Sequence, residues 1–368
     1  MPNAARPPYM RAEIAALSPV GRLTHAASLP HPVRALHLNE CPLPPSPAVI
    51  AAIRAAAPAI NRYPDAHVCR LAQALAERTG IAADRIVFGT GSEELLNLTT
   101  LLALDPGDQI VTSTPSFSRY VRSAELAGGT AVRVPLRGDG RNDVEALLAA
   151  ITPRTRILYC AMPNNPTGWI NDASELARLA RGTPAAVFLA IDEAYHEYAR
   201  HAGGPDVLAA LAERDGPWIV MRTFSKAYCL AGLRLGYALC SSPEVAGALG
   251  RGRTAFNANV LAQAAALAAL GDEAHLRRVL ETCAIERERL IAGCRALGLD
   301  PFPSVTNFVS IPVPLKAAAV VSAMRQRGIL ITAWGEECRD DVIRISIGLA
   351  EDTDAVLQAL ADIIGARS

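Results

Sequence analysis

The chain has 368 residues, half of them apolar, and its 36 lysines and arginines are balanced by 36 aspartates and glutamates. That length exceeds one small core, and the charge balance argues against a basic stripe for nucleic acid or an acidic solvating tail, leaving a small molecule as the expected partner. The eight cysteines are scattered with no C-x-x-C pair, which argues against a zinc site or a disulfide framework; the most apolar stretch, "VLAQAAALAAL", is too short for a membrane span, so a soluble cytoplasmic protein is expected.

In chain order, residues 1–45 are proline-spaced and weakly periodic, ending in "LHLNECPLPPSP". They read as an extended arm that packs with a small domain or a partner subunit. Residues 46–252 read as a large domain. It opens with "SPAVIAAIRAAA", a helix with a serine cap and a proline in its first turn, and "CRLAQALAERTG", a helix stopped by glycine. Seven β-branched runs follow ("DRIVFG", "DQIVTST", "TAVRVPL", "RTRILYCAMP", "AAVFLAIDEAY", "PWIVMRTFS" and "LRLGYALC"), mostly alternating with helical stretches such as "SEELLNLTTLLAL" and "DASELARLAR". Strands apolar on both faces and interleaved with helices imply an α/β fold, a mostly parallel seven-stranded sheet flanked by helices. After about residue 253 two long Ala/Leu/Arg helices precede "TNFVSIPV", "GILITAW" and "VIRISIG", the order expected of a smaller α+β domain over residues 253–368.

Ligands of an open parallel sheet collect beyond the carboxyl ends of its strands, where the polar residues of this chain fall. "FGTGSEELL" sets Ser92 and Glu93 at a strand-to-helix junction, where free backbone N–H groups favour a phosphate, although a plain helix cap at Ser92 explains the pattern equally well. Phe117 in "PSFSRY" either projects over the same crevice as a flat apolar surface or belongs to the core. "MPNNPTGW" puts two adjacent asparagines in a turn that structure alone could also require. "AIDEAYHEY" ends a buried strand on Asp192, Glu193 and Tyr195, and two acids there are costly unless a ligand cation, a metal or an arginine satisfies them. His196 stands alone, so a metal is the least favoured of the three. Ser225 and Lys226 end a further strand and Arg234 begins the next. Phosphate donors, an aromatic plate, a buried carboxylate, a phenol and an amine together describe a receptor for an anionic, aromatic, cationic aldehyde, pyridoxal 5'-phosphate.

The segments "LNECPLPPSP", "RYPD", "GTGSEELL", "PSFSRY", "MPNNPTG", "DEAYHEY", "RTFSKAYCLAGLRLGY", "FNANVLAQ" and "VIRISIG" run in that order from about residue 36 to the C-terminus. In order and spacing they resemble the fold-type-I pyridoxal-phosphate-dependent aminotransferases, most closely the histidinol-phosphate aminotransferase subgroup. The resemblance implies an aspartate-aminotransferase-like fold and a homodimer acting on a small-molecule amino donor and a keto acid. It makes Lys226 the amine that attaches the cofactor and then moves the proton between substrate α-carbon and cofactor. Asp192 would pair with the pyridine nitrogen, Tyr195 and Asn165 would donate to the ring's phenolic oxygen, and Phe117 would stack on its face. The backbone at Ser92 and Glu93, with Ser225 and Arg234, would hold the phosphate, and Tyr63 of "RYPD" would reach the phosphate in the neighbouring subunit. Arg344 would hold an acidic group of the substrate, usually the α-carboxylate.

The substrate end departs from the subgroup. Where its members carry a tyrosine near the N-terminus and an arginine after the strand "GILI", this chain has Val20 and Thr332; Cys41 replaces an asparagine, and Glu40 keeps its place to meet a polar or cationic group or to cap a loop. Two absent charge-assisted phosphate ligands, worth about 1.5–3 kcal/mol each, would weaken histidinol phosphate. The donor stays open between histidinol phosphate and an amino acid, aromatic ones included; a carboxylate-bearing donor fits Val20 and Thr332 better, and 2-oxoglutarate and glutamate are the expected couple. A decarboxylase or lyase with the same cofactor would share Lys226 and Asp192. A cofactor-binding regulator would need a DNA-binding module that neither the arm nor the charge balance supplies.

Overall fold

The computed structural model describes residues 10–17, 33–334 and 338–365. The described part of the arm contains a short helix, α1 (Ala12–Ala16), and a two-residue strand, β1 (Arg34–Ala35). Helix α2 (Pro47–Ala56) starts where the Ser46 hydroxyl accepts from the Val49 N–H, with Pro47 in its first turn. Helix α3 (Cys69–Thr79) stops at Gly80, whose left-handed backbone takes the C-cap.

The large sheet is built from β2 (Ile86–Gly89), β3 (Gln109–Thr114), β4 (Thr130–Pro135), β5 (Thr155–Ala161), β6 (Phe188–Asp192), β7 (Trp218–Thr223) and β8 (Gly236–Cys240). Its spatial order is β2-β8-β7-β6-β5-β3-β4. Every pairing is parallel except those of β8, which runs antiparallel to both β7 and β2. No crossover helix separates β7 from β8; the lysine-bearing segment between them turns the chain straight back. Between the other strands lie α4 (Ser92–Ala103), α5 (Arg119–Leu126), α6 (Val144–Ala149), α7 (Ala173–Gly182), α8 (His196–His201) and α9 (Val207–Leu211), and α10 (Pro243–Gly252) follows β8. One face of the sheet packs with α4, α5 and α10 around Leu95, Tyr120 and Leu249; the other packs with α2, α3, α7 and α9 around Val49, Leu75, Leu176 and Leu211.

The chain continues through α11 (Val260–Gly271), α12 (Glu273–Ala296), β9 (Phe308–Pro312), α13 (Ala317–Gln326), β10 (Ile329–Leu330), β11 (Thr332–Ala333), β12 (Val342–Ser346) and α14 (Ala350–Gly365). Strands β11, β12 and β9 form an antiparallel sheet, and β10 pairs in parallel with β1 of the arm. Their core draws on Leu280, Leu290, Phe308, Val320, Val356 and, from the arm, Leu36. Relative to the expected division at 252/253, Ala258 and the buried face of α11 (Ala262, Ala265, Ala266, Ala269) lie in the core of the large sheet. Alanines let that helix lie flush on its neighbours. Beyond residue 253 the side chains of the small core begin within α12, and Tyr195, Tyr198 and Ala227 join that core from the earlier part of the chain.

Candidate active site

Beyond the carboxyl ends of β3, β5, β6 and β7 lies a cleft of about 1340 Å³. Arm residues Leu38, Asn39 and Glu40 and small-unit residues Trp334 and Arg344 close it from the other side. Ser92, Glu93, Phe117, Asn165, Asp192, Tyr195, Ser225, Lys226, Arg234, Arg344 and Glu40 all line it. Val20 lies outside the described residues. Tyr63 is 82 % exposed and stacks on Phe256 at 4.5 Å instead of lining the cleft of its own chain.

Strand alternation sorts the two acids at the end of β6. Glu193 forms a buried ion pair with Arg222 at 2.7 Å and lies 3.0 Å from Nδ1 of His196. Burial alone would raise its pKa, but Arg222 and then His196 hold the carboxyl at about 2. Asp192 has no cation within ion-pair distance among the described residues. Its Oδ2 accepts from the Tyr120 hydroxyl at 2.7 Å and its Oδ1 from the Ala194 N–H at 3.0 Å. Burial raises its pKa, against the opposing pull of those two bonds. Of the three expected partners, Glu193 takes the arginine, whereas Asp192 lines the cleft with an uncompensated carboxylate.

Lys226 lies just past the end of β7 and extends its amine to the arm. Nζ donates to the carbonyls of Asn39 at 2.9 Å and Leu38 at 3.1 Å, and sits 5.9 Å from the centre of the Tyr195 ring. Burial first, then Arg344, lowers its pKa from the ordinary 10.5 to about 8, despite Glu40 and Asp192. The Tyr195 hydroxyl accepts from Asn39 Nδ2 at 2.9 Å, keeping its own proton available to a third group.

At the other end α4 begins at Gly91 with no side-chain cap, so its first N–H groups face the cleft unsatisfied by a cap. The backbone there leaves no room for side chains. A Cβ at Gly91, whose φ is +78°, would come within 2.6 Å of Nη2 of Arg234, and one at Gly236 within 2.6 Å of the Ser92 nitrogen. Arg234 is itself held in left-handed backbone, with Nη1 on the Ala231 carbonyl. Ser225 Oγ accepts from Thr223 at 3.0 Å. Glu93 turns its carboxylate to Arg119 at 3.0 Å, so only its backbone is suited to an anion.

Opposite, Arg344 on β12 donates to Asn165 Oδ1 at 2.6 Å and to the His37 carbonyl at 3.0 Å; its buried Nε has no hydrogen-bond partner, and no acid pairs with it among the described residues. Thr332 stands across from it in the β11–β12 register with its hydroxyl spent on the same carbonyl. Trp334 donates to Ser310 at 2.8 Å and stacks on Phe302. Phe117 meets Tyr120 edge-on at 5.7 Å.

An uncompensated carboxylate, an amine of lowered basicity, a phenol, and an uncapped helix start under an arginine fit the pyridinium nitrogen, the aldehyde, the phenolic oxygen and the phosphate of pyridoxal phosphate in turn. Residues 32–364 match the family described as aminotransferase class I and II. The chain belongs to this family. Histidinol-phosphate aminotransferase 1 of Mesorhizobium japonicum is 38% identical over 91% of both chains. The aromatic amino acid aminotransferase of Rhodococcus jostii is 39% identical over 90% of both. The crystal structure of the Sinorhizobium meliloti histidinol-phosphate aminotransferase in complex with pyridoxal 5'-phosphate superposes with a TM-score of 0.90 at 32% identity, covering 98% of this chain and 99% of that one. This protein is a pyridoxal-phosphate-dependent aminotransferase with an aspartate-aminotransferase-like fold. Among the described residues no helix is long and apolar enough to cross a membrane, and no cluster of His, Cys, Asp or Glu could hold a metal.

Sequence reasoning missed Tyr120, Arg222 and the carbonyls of Leu38 and Asn39. Tyr120 and Arg222 lie inside quoted motifs, and the alternation of β6 was the signal that Asp192 and Glu193 need different partners. Backbone carbonyls of an irregular arm leave no side-chain pattern to read.

Proposed function

We propose that this aminotransferase exchanges an amino group between an α-amino acid with an aromatic side chain and 2-oxoglutarate. The carrying observation is Arg344, a buried guanidinium with one unpartnered nitrogen and no acid paired with it among the described residues. An α-carboxylate is common to an amino acid donor and to 2-oxoglutarate, so one arginine serves both half-reactions. With Thr332 beside it instead of a second arginine, the site suits a single carboxylate better than a phosphate. Trp334, on which Phe302 stacks, and Phe117 supply aromatic surface to the cleft.

When bound, the cofactor supplies an electrophilic carbon for the amino group and a ring that accepts an electron pair. Asp192 would hold a proton at the pyridine nitrogen, and Tyr195 and Asn165 would donate to the phenolic oxygen. Lys226, once off the Leu38 and Asn39 carbonyls, would take the proton from the substrate α-carbon and return it. The N–H groups of Ser92 and Glu93, the Ser225 hydroxyl and Arg234 would bind the phosphate, Phe117 would cover the ring, and Glu40 would border the substrate side chain. A homodimer would place the exposed Tyr63 of each subunit at its neighbour's phosphate, and the enzyme would work in the cytoplasm.

A second reading, histidinol phosphate as donor, is favoured by the name of the Mesorhizobium relative. Steady-state rates for a panel of amino acids and histidinol phosphate, each with 2-oxoglutarate, separate the two. Aromatic amino acids should give the highest kcat/KM; histidinol phosphate outpacing every amino acid would overturn the first reading. Release of CO2 in place of a keto acid would overturn transfer itself.

A further inference from the structure

Cys41 and Cys229, 188 residues apart, bring their sulfurs to 2.9 Å, with the Cys229 thiol donating to Cys41. Both are free and partly exposed. A disulfide bond is about 2.05 Å long, so little movement separates this contact from a covalent one. The two thiols flank the contact that holds the lysine: Cys41 follows Leu38 and Asn39 after a single intervening residue, Glu40, and the Cys229 N–H donates to the Lys226 carbonyl at 3.0 Å. Cys229 is also held in left-handed backbone, φ +60°.

We propose that Cys41 and Cys229 form a reversible disulfide when a hydroperoxide oxidises the enzyme, and that this bond stops turnover by fixing the arm to the lysine loop. The Cys41 sulfur attacks the terminal oxygen of the peroxide; the O–O bond breaks, water or an alcohol leaves, and Cys41 becomes a sulfenic acid. The Cys229 sulfur then attacks the Cys41 sulfur. The S–S bond forms as the S–O bond breaks, and hydroxide leaves with the Cys229 proton as a second water. The two thiols together give up two electrons and two protons, and the peroxide takes them.

The order of attack follows from acidity. The hydrogen bond from Cys229 lowers the Cys41 pKa, aided by the Leu43 N–H and opposed by burial, while donating that bond raises the Cys229 pKa. The consequence follows from topology. The arm is paired through β1 to β10 of the small unit, whereas Cys229 belongs to the loop after β7 of the large sheet. A bond between them straps the two sides of the cleft together and holds the Leu38 and Asn39 carbonyls against the amine that must leave them.

The holoenzyme is treated with hydrogen peroxide at near-equimolar ratio, remaining thiols are blocked, and the digest is read by mass spectrometry. Peptides containing Cys41 and Cys229 should appear joined and lighter by two hydrogens, before the exposed Cys69 and Cys338 are modified. Turnover of the best donor of the reduced enzyme should fall by about tenfold or more in the linked fraction and return with dithiothreitol. The variants Cys41→Ser and Cys41→Ala should keep their turnover under the same oxidant. Blocked Cys41 and Cys229 alongside oxidised Cys69 or Cys338 would refute the pairing, and a linked enzyme with unchanged turnover would refute the switch. The mass readout is independent of which donor the enzyme prefers.

Discussion

Asp192 and Glu193 share a strand end and burial but differ in their surroundings, and each carries a separate test. The Glu193 carboxyl titrates at about 2 because Arg222 faces it, against an ordinary 4.5. Its folded pKa is the lower one, so the pair's contribution is present above about pH 4.5 and is lost as pH falls through about 2. Urea denaturation across that window should show wild type losing a few kcal/mol that Arg222→Met, already destabilised, does not lose. An acid limb of equal size in both would remove Arg222 as the cause. Lys226 sits on the opposite side of ordinary behaviour, with its amine lowered to about 8. The neutral amine is the reactive form, so the rate at which apoprotein combines with pyridoxal phosphate should climb with pH to a plateau whose midpoint is near 8. A midpoint near 10 would mean the amine is not desolvated. Lys226 and Asp192 were legible in sequence because a lysine and an acid at strand ends are unusual there. The fact that Tyr120, and no cation among the described residues, meets Asp192 depends on how α5 packs on the sheet, which a linear pattern does not contain.

At the scale of elements, the start of α4 is shaped by what is absent from its backbone. Ala at position 91 would force a Cβ into the Arg234 guanidinium from left-handed backbone. Gly91→Ala should therefore weaken pyridoxal phosphate binding by about tenfold or more, measured by fluorescence titration of apoprotein. Asp172→Ala, which removes the capping box of α7 far from the phosphate end, should lower stability by about 1 kcal/mol and leave that affinity unchanged. If both variants bind the cofactor equally well, the α4 start is not its phosphate site. The seven strands of the large sheet were readable because each carries a β-branched or apolar run set off by helical stretches or turns. The strands β1, β10 and β11 were not resolved as separate elements, since two residues are too few to show a period. The alanine-rich α11 carried a texture like α12 but packs on the other core, because alanine content records close approach and not the identity of the neighbour.

For the whole molecule, the stacked and exposed Tyr63–Phe256 pair is the feature that a single chain leaves unused. If Tyr63 completes the neighbouring site, Lys226→Ala and a disabled Tyr63→Ala subunit should each be poor alone yet regain activity when mixed and re-associated. The heterodimer then holds one site with both residues intact. No recovery, with heterodimer formation verified by native mass spectrometry, would place Tyr63 outside the shared site. The arm is where sequence reading was thinnest, and its role appears only once the chain is closed on itself. β1 is stitched to β10, Leu36 is buried in the small core, and two residues later the backbone supplies the oxygens on which the Lys226 amine rests. For anyone trimming or tagging this protein, the practical N-terminal limit is therefore set well inside the chain: a cut after residue 45 would look like the removal of a loose leader and would take away one wall of the reaction chamber.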